Sequence, residues 1–164
     1  MPSRQLLINF GIALVLVGVV AGVVLYINRG AHLVIEGTIQ KVRTLALDDN
    51  SSAAFLDFRF TNPANYPFVV QEVTLILVQM NGDPIEGMTI PEMDAKRIFD
   101  YYKLLGPKYN SSLLAREKVA PKQSLDRMIS AQFPMPEGLL QQRRNLIIRV
   151  RELDGLVSEI AERK

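Results

Sequence analysis

The chain opens with one unbroken apolar run, after which apolar and polar residues alternate. The run extends from Leu6 to Ile27 and contains no charged residue. As a helix rising about 1.5 Å per residue it is roughly 33 Å long, enough to cross the hydrocarbon core of a bilayer. The pattern predicts an N-terminal tail over 1–5, a transmembrane helix over 6–27 and a juxtamembrane linker over 28–32.

A cleaved signal peptide is the alternative for this run. The apolar core of such a signal is about 7–15 residues long, which is shorter than this run. The only basic side chain before the run is Arg4, and Val19-Val20-Ala21 is a weak cleavage sequence. We therefore expect the segment to be retained as an anchor.

From Leu33 onwards the chain shows the period of two that is typical of β-strands. In one run Leu56, Phe58 and Phe60 share a face and polar residues take the other, which predicts a half-buried antiparallel strand. Strand-like runs lie near 33–47, 56–61, 68–80, 84–90, 111–119, 125–133, 145–153 and 156–160. Seven to eight strands separated by turn signals favour an immunoglobulin-like antiparallel β-sandwich over 33–164.

One inserted segment has the spacing of a helix instead. Thr89 is a candidate N-cap, and Ile98, Tyr101, Tyr102 and Leu105 follow at helical intervals before Gly106-Pro107 ends the pattern. This predicts an amphipathic α-helix whose aromatic stripe packs in the core. A further helical turn is predicted over 136–142.

Residues of two predicted strands suggest one surface for partners. In the run 68–80, Ile76 and Val78 stand opposite the core-facing residues, so they are either covered by another part of the chain or exposed to a partner. Arg149 and Arg151 occupy outward strand positions, which suit a solvated face, a lipid headgroup or an acidic partner. The possible partner surface is therefore Ile76, Val78, Arg149 and Arg151.

A second candidate surface is a stripe of glycines in the apolar run. Gly11, Gly18 and Gly22 fall within about 40° of one another on a helix of 100° per residue. Small residues on one face let a second membrane helix approach closely, so the stripe is a candidate helix-packing interface. Glycine is also common in membrane helices, and such a pattern arises by chance.

Composition excludes several kinds of chemistry. The chain has no cysteine, a single histidine (His32) and a net charge of +2, and it contains no long basic run. Disulfides, thiolate metal sites and histidine-based nucleophilic sets are therefore absent, and nucleic acid is not an expected partner. Asp48-Asp49 lacks the spacing of a calcium loop. We expect no metal, no cofactor, no small-molecule substrate and no catalytic activity.

A family resemblance rests on the central part of the domain. Phe60-Thr61-Asn62-Pro63-Ala64-Asn65-Tyr66-Pro67-Phe68-Val69-Val70 is followed by Val73-Thr74-Leu75, Asn81-Gly82 and Ile90-Pro91. This order resembles the water-stress-and-hypersensitive-response domain of late-embryogenesis-abundant proteins, over about Ile35 to Pro91. The resemblance implies an immunoglobulin-like sandwich with one helix and no catalytic site.

These observations lead to two hypotheses for function. The first is a non-enzymatic accessory subunit that stabilises a larger membrane complex, respiratory or photosynthetic for example, through its helix and its membrane-proximal sandwich. Its expected partners are membrane lipid and other integral membrane subunits. The second is a free-standing envelope protein that protects against stress, of the late-embryogenesis-abundant type.

The charges that flank the apolar run bear on which side of the membrane the domain lies. Arg4 precedes the apolar run and Arg29, Lys41 and Arg43 follow it, so the positive-inside rule gives nearly equal counts. A short N-terminal tail usually stays in the cytoplasm. We therefore expect the domain on the extracytoplasmic, periplasmic side of the inner membrane.

Overall fold

A computed structural model describes residues 13–23 and 35–162 of the chain. The first range is helical and is called α1 here; the second is a separate compact unit. Within these ranges, no helix is long and apolar enough to cross a membrane. The rest of the predicted span 6–27, including Gly11, and the predicted linker 28–32 lie outside the described residues.

The unit formed by residues 35–162 is mainly β, as predicted, and its strands form two antiparallel sheets. The elements in chain order are β1 Glu36–Asp48, β2 Ser51–Thr61, β3 Phe68–Val78, β4 Pro84–Glu86, β5 Met88–Thr89, α2 Glu92–Tyr101, the 3-10 helix η1 Lys103–Leu105, β6 Lys118–Val119, β7 Ser124–Phe133, α3 Glu137–Gln141, β8 Asn145–Glu152 and β9 Val157–Ala161. The first sheet has the order β1-β2-β7-β5. The second has the order β4-β3-β8-β9, with β6 pairing β3. The predicted β-sandwich is confirmed.

The core lies between the inner faces of the two sheets. From β2, Leu56, Phe58 and Phe60 are fully buried, as the alternation predicts. Leu75 of β3 and Ile148 of β8 are fully buried in the second sheet. Each such side chain stabilises the fold by about 1.5–3 kcal/mol through burial, so this layer dominates the stability of the domain.

The outer face of β2 differs from the prediction of a half-buried strand. Ala53, Phe55 and Asp57 are also buried, because α2 and η1 pack over this face. The rings of Phe55 and Phe99 meet edge to face with their centroids 5.1 Å apart. Alternation within β2 cannot reveal this second layer, since the residues that cover it come from a later part of the chain.

The predicted aromatic stripe of the inserted helix is also corrected. Helix α2 packs through Ala95, Ile98 and Phe99, and Leu105 of η1 completes this cluster. Tyr101 is 79% exposed and Tyr102 is 36% exposed. At 100° per residue, Tyr101 lies roughly 110° from the centre of the face formed by Ala95, Ile98 and Phe99. The α-helix ends at Tyr101, so helical spacing no longer applies to Tyr102.

Two predicted strands instead cross from one sheet to the other. The run 84–90 divides at Gly87: β4 pairs with β3, and β5 pairs with β7. A Cβ on Gly87 would lie 2.7 Å from Cζ of Phe133, so only glycine fits this crossing. The run 111–119 bridges β7 at Ser112 and then pairs with β3 as β6. The division at Gly87 raises the number of strands within residues 35–162 to nine, above the predicted seven to eight.

The inward face of β8 ends in a carboxylate. Leu146, Ile148 and Val150 precede Glu152 on this face, and Glu152 is 4% exposed. Its Oε2 is buried and has no hydrogen-bond partner in the described structure. Burial raises the pKa of Glu152, and the nearby charge of Asp154 raises it further.

We expect Glu152→Gln to increase the free energy of unfolding at pH 7. A raised pKa means that the native state binds this proton more tightly than the unfolded state. The free energy of unfolding of the wild type therefore decreases as the pH rises from the pKa of Glu152 in the unfolded state through its pKa in the folded state. Glutamine does not ionise, so the variant does not undergo this loss. Urea unfolding of the full chain in detergent at pH 4 and pH 7 measures the difference.

The gain should shrink at pH 4, where the glutamic acid is largely protonated in both states. Glu159→Gln is the control, because Glu159 is exposed on the adjacent strand β9. An equal gain at both pH values would show that the effect does not come from ionisation of Glu152.

Candidate functional site

A cleft lies between α2 and the segment that returns after η1. Its volume is about 730 Å³. It is lined by Glu92, Lys96, Phe99, Asp100, Lys103, Gly106, Pro107, Lys108, Tyr109, Asn110 and Ser111. We call this feature the α2 cleft.

The local sequence explains how the chain forms two walls. Pro91 sets the start of α2, and acidic Glu92 and Asp94 occupy its first turn, where the helix dipole favours negative charge. After η1, Gly106 adopts φ 74°, a left-handed conformation that favours glycine. The chain reverses there and runs back along the outer side of β1 and β2.

A buried ion pair fastens the returning segment to the sheet. Arg43 of β1 is 8% exposed and Asp57 of β2 is 3% exposed, and the guanidinium donates to the carboxylate through Nη2. Arg43 Nη1 also donates to the carbonyl oxygen of Pro107 at 2.9 Å. Asn110 Nδ2 donates to the other oxygen of Asp57 at 2.9 Å. One wall of the cleft is therefore held by hydrogen bonds from both strands.

Aromatic rings surround this ion pair. The guanidinium carbon of Arg43 lies 4.6 Å from the ring centroid of Phe99, and Lys41 Nζ lies 5.3 Å from that of Tyr109. Cations held over rings in this way are attracted by the ring quadrupole. Phe99 is thus fixed between Phe55 and Arg43.

A second ion pair joins the two walls. Lys108 Nζ lies 2.6 Å from Glu92 Oε1 and donates to the carbonyl oxygen of Asn110 at 2.7 Å. Glu92 Oε2 accepts a hydrogen bond from the backbone N–H of Ser112 at 2.8 Å. Burial opposes ionisation of Glu92, but the hydrogen bonds from Lys108 and Ser112 outweigh it and lower its pKa. The carboxylate is therefore ionised at neutral pH and links α2 to the returning segment.

Other charges of the cleft are not used by the fold. Lys96, Asp100 and Lys103 line it and form no ion pair within residues 35–162. Tyr109 is 63% exposed beside them. A concave surface with an aromatic ring and unpaired charges is suited to binding a polar segment of another molecule.

The structure describes two of the three glycines of the predicted stripe, Gly18 and Gly22. Every described residue of α1 is exposed, and a Cβ on Gly18 or Gly22 would meet nothing within 4 Å. The structure leaves these two glycines open to a neighbour. Gly11 is not among the described residues.

The predicted partner surface does not form one apolar patch. Ile76 is 5% exposed, in a sheet where its cross-strand neighbour is Ile147, and Val78 is half-buried. Arg149 lies 2.8 Å from Glu159, and Arg151 lies 3.4 Å from Glu72. The two arginines therefore face carboxylates of their own sheet, in a shallow depression of about 180 Å³ that Glu86 also lines.

The residues that build the α2 cleft were not predicted from the sequence. In the sequence, Arg43 contributes only charge near the anchor, Gly106-Pro107 predicts only the end of a helix, and Asp57 falls on the polar side of its strand. A charged residue among apolar neighbours in each of two adjacent strands is the signal that could have indicated the ion pair, but nothing local identifies its third partner, the segment around Pro107.

Comparisons with known proteins provide little on function. No known protein family and no curated protein sequence matches the chain. It is similar to the crystal structure of an uncharacterized β-sandwich protein from Clostridium difficile 630, with 10% identity and a TM-score of 0.42 over 79% of this chain and 85% of that one. The function must therefore be argued from this chain's own residues.

We expect Asp57→Asn to lower the free energy of unfolding by about 3 kcal/mol, because it leaves the buried charge of Arg43 without a counter-ion. Amide hydrogen exchange should also become faster in the segment from Leu105 to Asn110. Denaturant unfolding and exchange mass spectrometry of the full chain measure the two effects.

Asp126→Asn is the matched control. It removes a carboxylate from an ion pair with Arg59 whose side chains are 57% and 37% exposed. Exposed pairs contribute at most about 1 kcal/mol. Equal losses in the two variants would mean that burial of the Arg43–Asp57 pair has no energetic consequence.

Proposed function

We propose that this protein is a membrane-anchored, non-enzymatic accessory subunit of a larger membrane protein complex. The apolar run Leu6–Ile27 serves as the anchor, and the β-sandwich binds a neighbouring subunit on the extracytoplasmic side of the inner membrane. The protein acts by binding, with membrane lipid and integral membrane proteins as its partners. The immunoglobulin-like character of the sandwich is part of the same proposal.

One observation carries this proposal: α1 presents apolar side chains on all sides and none of them is buried. Leu14, Leu16 and Val17 are 62%, 61% and 69% exposed, and the remaining described residues of the helix are also exposed. A helix that is hydrophobic all round is stable only in an apolar environment. The charge-free run that contains it has the length of a membrane span.

The α2 cleft supports the binding role of the domain. Lys96 and Lys103 offer unpaired positive charge beside the exposed ring of Tyr109. A loop or terminus of a partner subunit that carries carboxylates suits this surface, because tyrosine is enriched at protein interfaces and opposite charges steer the encounter.

The proposal of a binding role rather than a catalytic one is based on the composition of the chain. The single histidine, His32, lies outside the described residues, and the chain has no cysteine. The described residues contain no cluster of three or more metal-ligating side chains.

Purification in mild detergent followed by mass spectrometry tests the subunit role. Recovery with a defined set of integral membrane proteins is expected. Recovery as a monomer would instead favour the second hypothesis, a free-standing stress-protective protein of the late-embryogenesis-abundant type.

We expect Gly18→Leu combined with Gly22→Leu to reduce co-purification of partner subunits, because leucine keeps neighbouring helix backbones apart. The domain itself should keep its unfolding transition. Val20→Leu is the control, since Val20 lies on the opposite side of the helix at 100° per residue. Unchanged recovery in the double variant would remove the glycine stripe from the proposal.

We expect Lys96→Glu combined with Lys103→Glu to reduce partner recovery by about tenfold or more, because like charges at an interface cost several kcal/mol. Lys118→Glu is the control, as this exposed lysine lies in β6, away from the cleft. Partner recovery is quantified by mass spectrometry against the anchored wild-type chain. Equal recovery from all three proteins would exclude the α2 cleft as the docking surface.

A further inference from the structure

The end of the sandwich where the chain enters is closed by three turns. The backbone N–H of Ile35 donates to Ser158 Oγ at 3.0 Å, which places the start of the domain beside β9. The turns are residues 62–67, 120–123 and 153–156. Asn62 N–H donates to the carbonyl oxygen of Gln123, and Leu153 N–H donates to that of Val69, both at 3.0 Å. All three turns therefore meet at the same end of the two sheets.

This end exposes three apolar side chains, next to exposed polar side chains of the same turns. Tyr66, Leu153 and Val157 are 44%, 63% and 45% exposed, and we call these three residues the end face. Asn62 is fully buried, and its Nδ2 donates to the carbonyl oxygens of Tyr66 at 2.9 Å and Ala120 at 3.2 Å. Backbone carbonyl groups in two of the turns thus have partners within the protein.

The length of the chain before the domain limits how far this end can lie from the anchor. If the anchor ends at Ile27, residues 28–34 span at most about 25 Å when fully extended. The strand β1 begins at this end and runs for 13 residues, or roughly 43 Å at about 3.3 Å per residue. The opposite end of the sandwich is therefore much farther along the chain from the bilayer than the end face.

We propose that the end face rests on the interfacial region of the bilayer, with Tyr66, Leu153 and Val157 in contact with lipid. This inference rests on the proposed anchor and deepens it, because it fixes the orientation of the domain. Tyrosine is suited to this position, since its ring is apolar and its hydroxyl remains hydrated at the headgroups.

A lipid surface fits this face better than a protein partner. Stable protein interfaces bury about 800 Å² on each partner and involve about 20–30 residues a side, whereas the end face offers three exposed apolar side chains. A weak lipid contact suffices here, because the covalent anchor makes it an intramolecular event with a high effective concentration.

The absence of tryptophan from the chain allows a direct test. Leu153→Trp is introduced into the full chain, which is reconstituted into phosphatidylcholine vesicles with and without lipids brominated near the headgroup end of the acyl chains. We expect a blue-shifted emission and loss of emission with the brominated lipid. Met80→Trp is the matched control, because Met80 is 72% exposed in the turn after β3, at the opposite end; its emission should be unaffected by bromine.

Tyr66→Trp provides a second reporter that keeps an aromatic ring in place, should Leu153→Trp fail to fold. Val17→Trp in α1 lies at the middle of the proposed span, so it reports on the anchor itself when the lipid is brominated near the centre of the bilayer. Quenching of Val17→Trp without quenching of either end-face reporter would overturn this inference and leave the proposed anchor intact. Failure of the chain to float with vesicles, with no quenching of Val17→Trp, would overturn both. Emission from the end face that shifts only when a co-purified protein partner is added would also overturn the lipid contact.

Discussion

The buried ion pair between Arg43 and Asp57 determines where the polypeptide between β5 and β6 can lie. Both residues stand on the outer face of the first sheet, where charged side chains normally remain in water. Burying them is favourable only if hydrogen bonds replace that water, and the segment after η1 supplies the replacements. Asn110 binds one carboxylate oxygen, and the carbonyl groups of Pro107 and Leu105 accept from the guanidinium. Arg43 Nε is left without a partner in the described structure, so the pair is not optimised for stability alone. The pair ties the covering segment to β1 and β2, because both of its residues also form hydrogen bonds with that segment.

The position of the segment after η1, which covers the ion pair, creates the α2 cleft. Ile90 N–H binds the carbonyl oxygen of Ser130 on β7, and Arg43 on β1 binds that of Leu105, so the helix between them must cross β2. The return path from Gly106 to Ser112 crosses the same sheet in the opposite direction, and the Glu92–Lys108 ion pair holds the two paths together. The space between the paths is the cleft. Arg43, Asp57, Glu92 and Lys108 are paired in this way, while Lys96, Asp100 and Lys103 form no ion pair within residues 35–162.

Alternation along the chain was sufficient to predict the long strands, because one face of β2, β3, β7 and β8 packs against the opposite sheet. It was insufficient wherever a residue's environment comes from a distant segment. Asp57 appears solvent-facing in the sequence because Asn110, which binds it, is remote in the chain. Tyr101 appears core-facing because the pattern does not show which face of α2 meets the sheet. The sequence does not predict the crossing at Gly87 for the same reason. The side chain of Phe133, which excludes a Cβ at Gly87, is remote in sequence. The candidate site depends almost entirely on such contacts, so it was not predicted.

The two proposed contacts are geometrically compatible. If the end face rests on the bilayer, the strands of the first sheet rise from it, and Arg43 lies seven residues along β1 from Glu36, at a height of about 23 Å. Helix α2 packs on the outer face of this sheet, so the cleft lies on a side of the sandwich and not at the end face. A partner that reaches it must itself extend about that far from the bilayer, as the extramembrane loops of an integral membrane protein do. Lipid contact at one end would remove much of the orientational freedom of the domain before docking, and less entropy would then be lost when the partner binds.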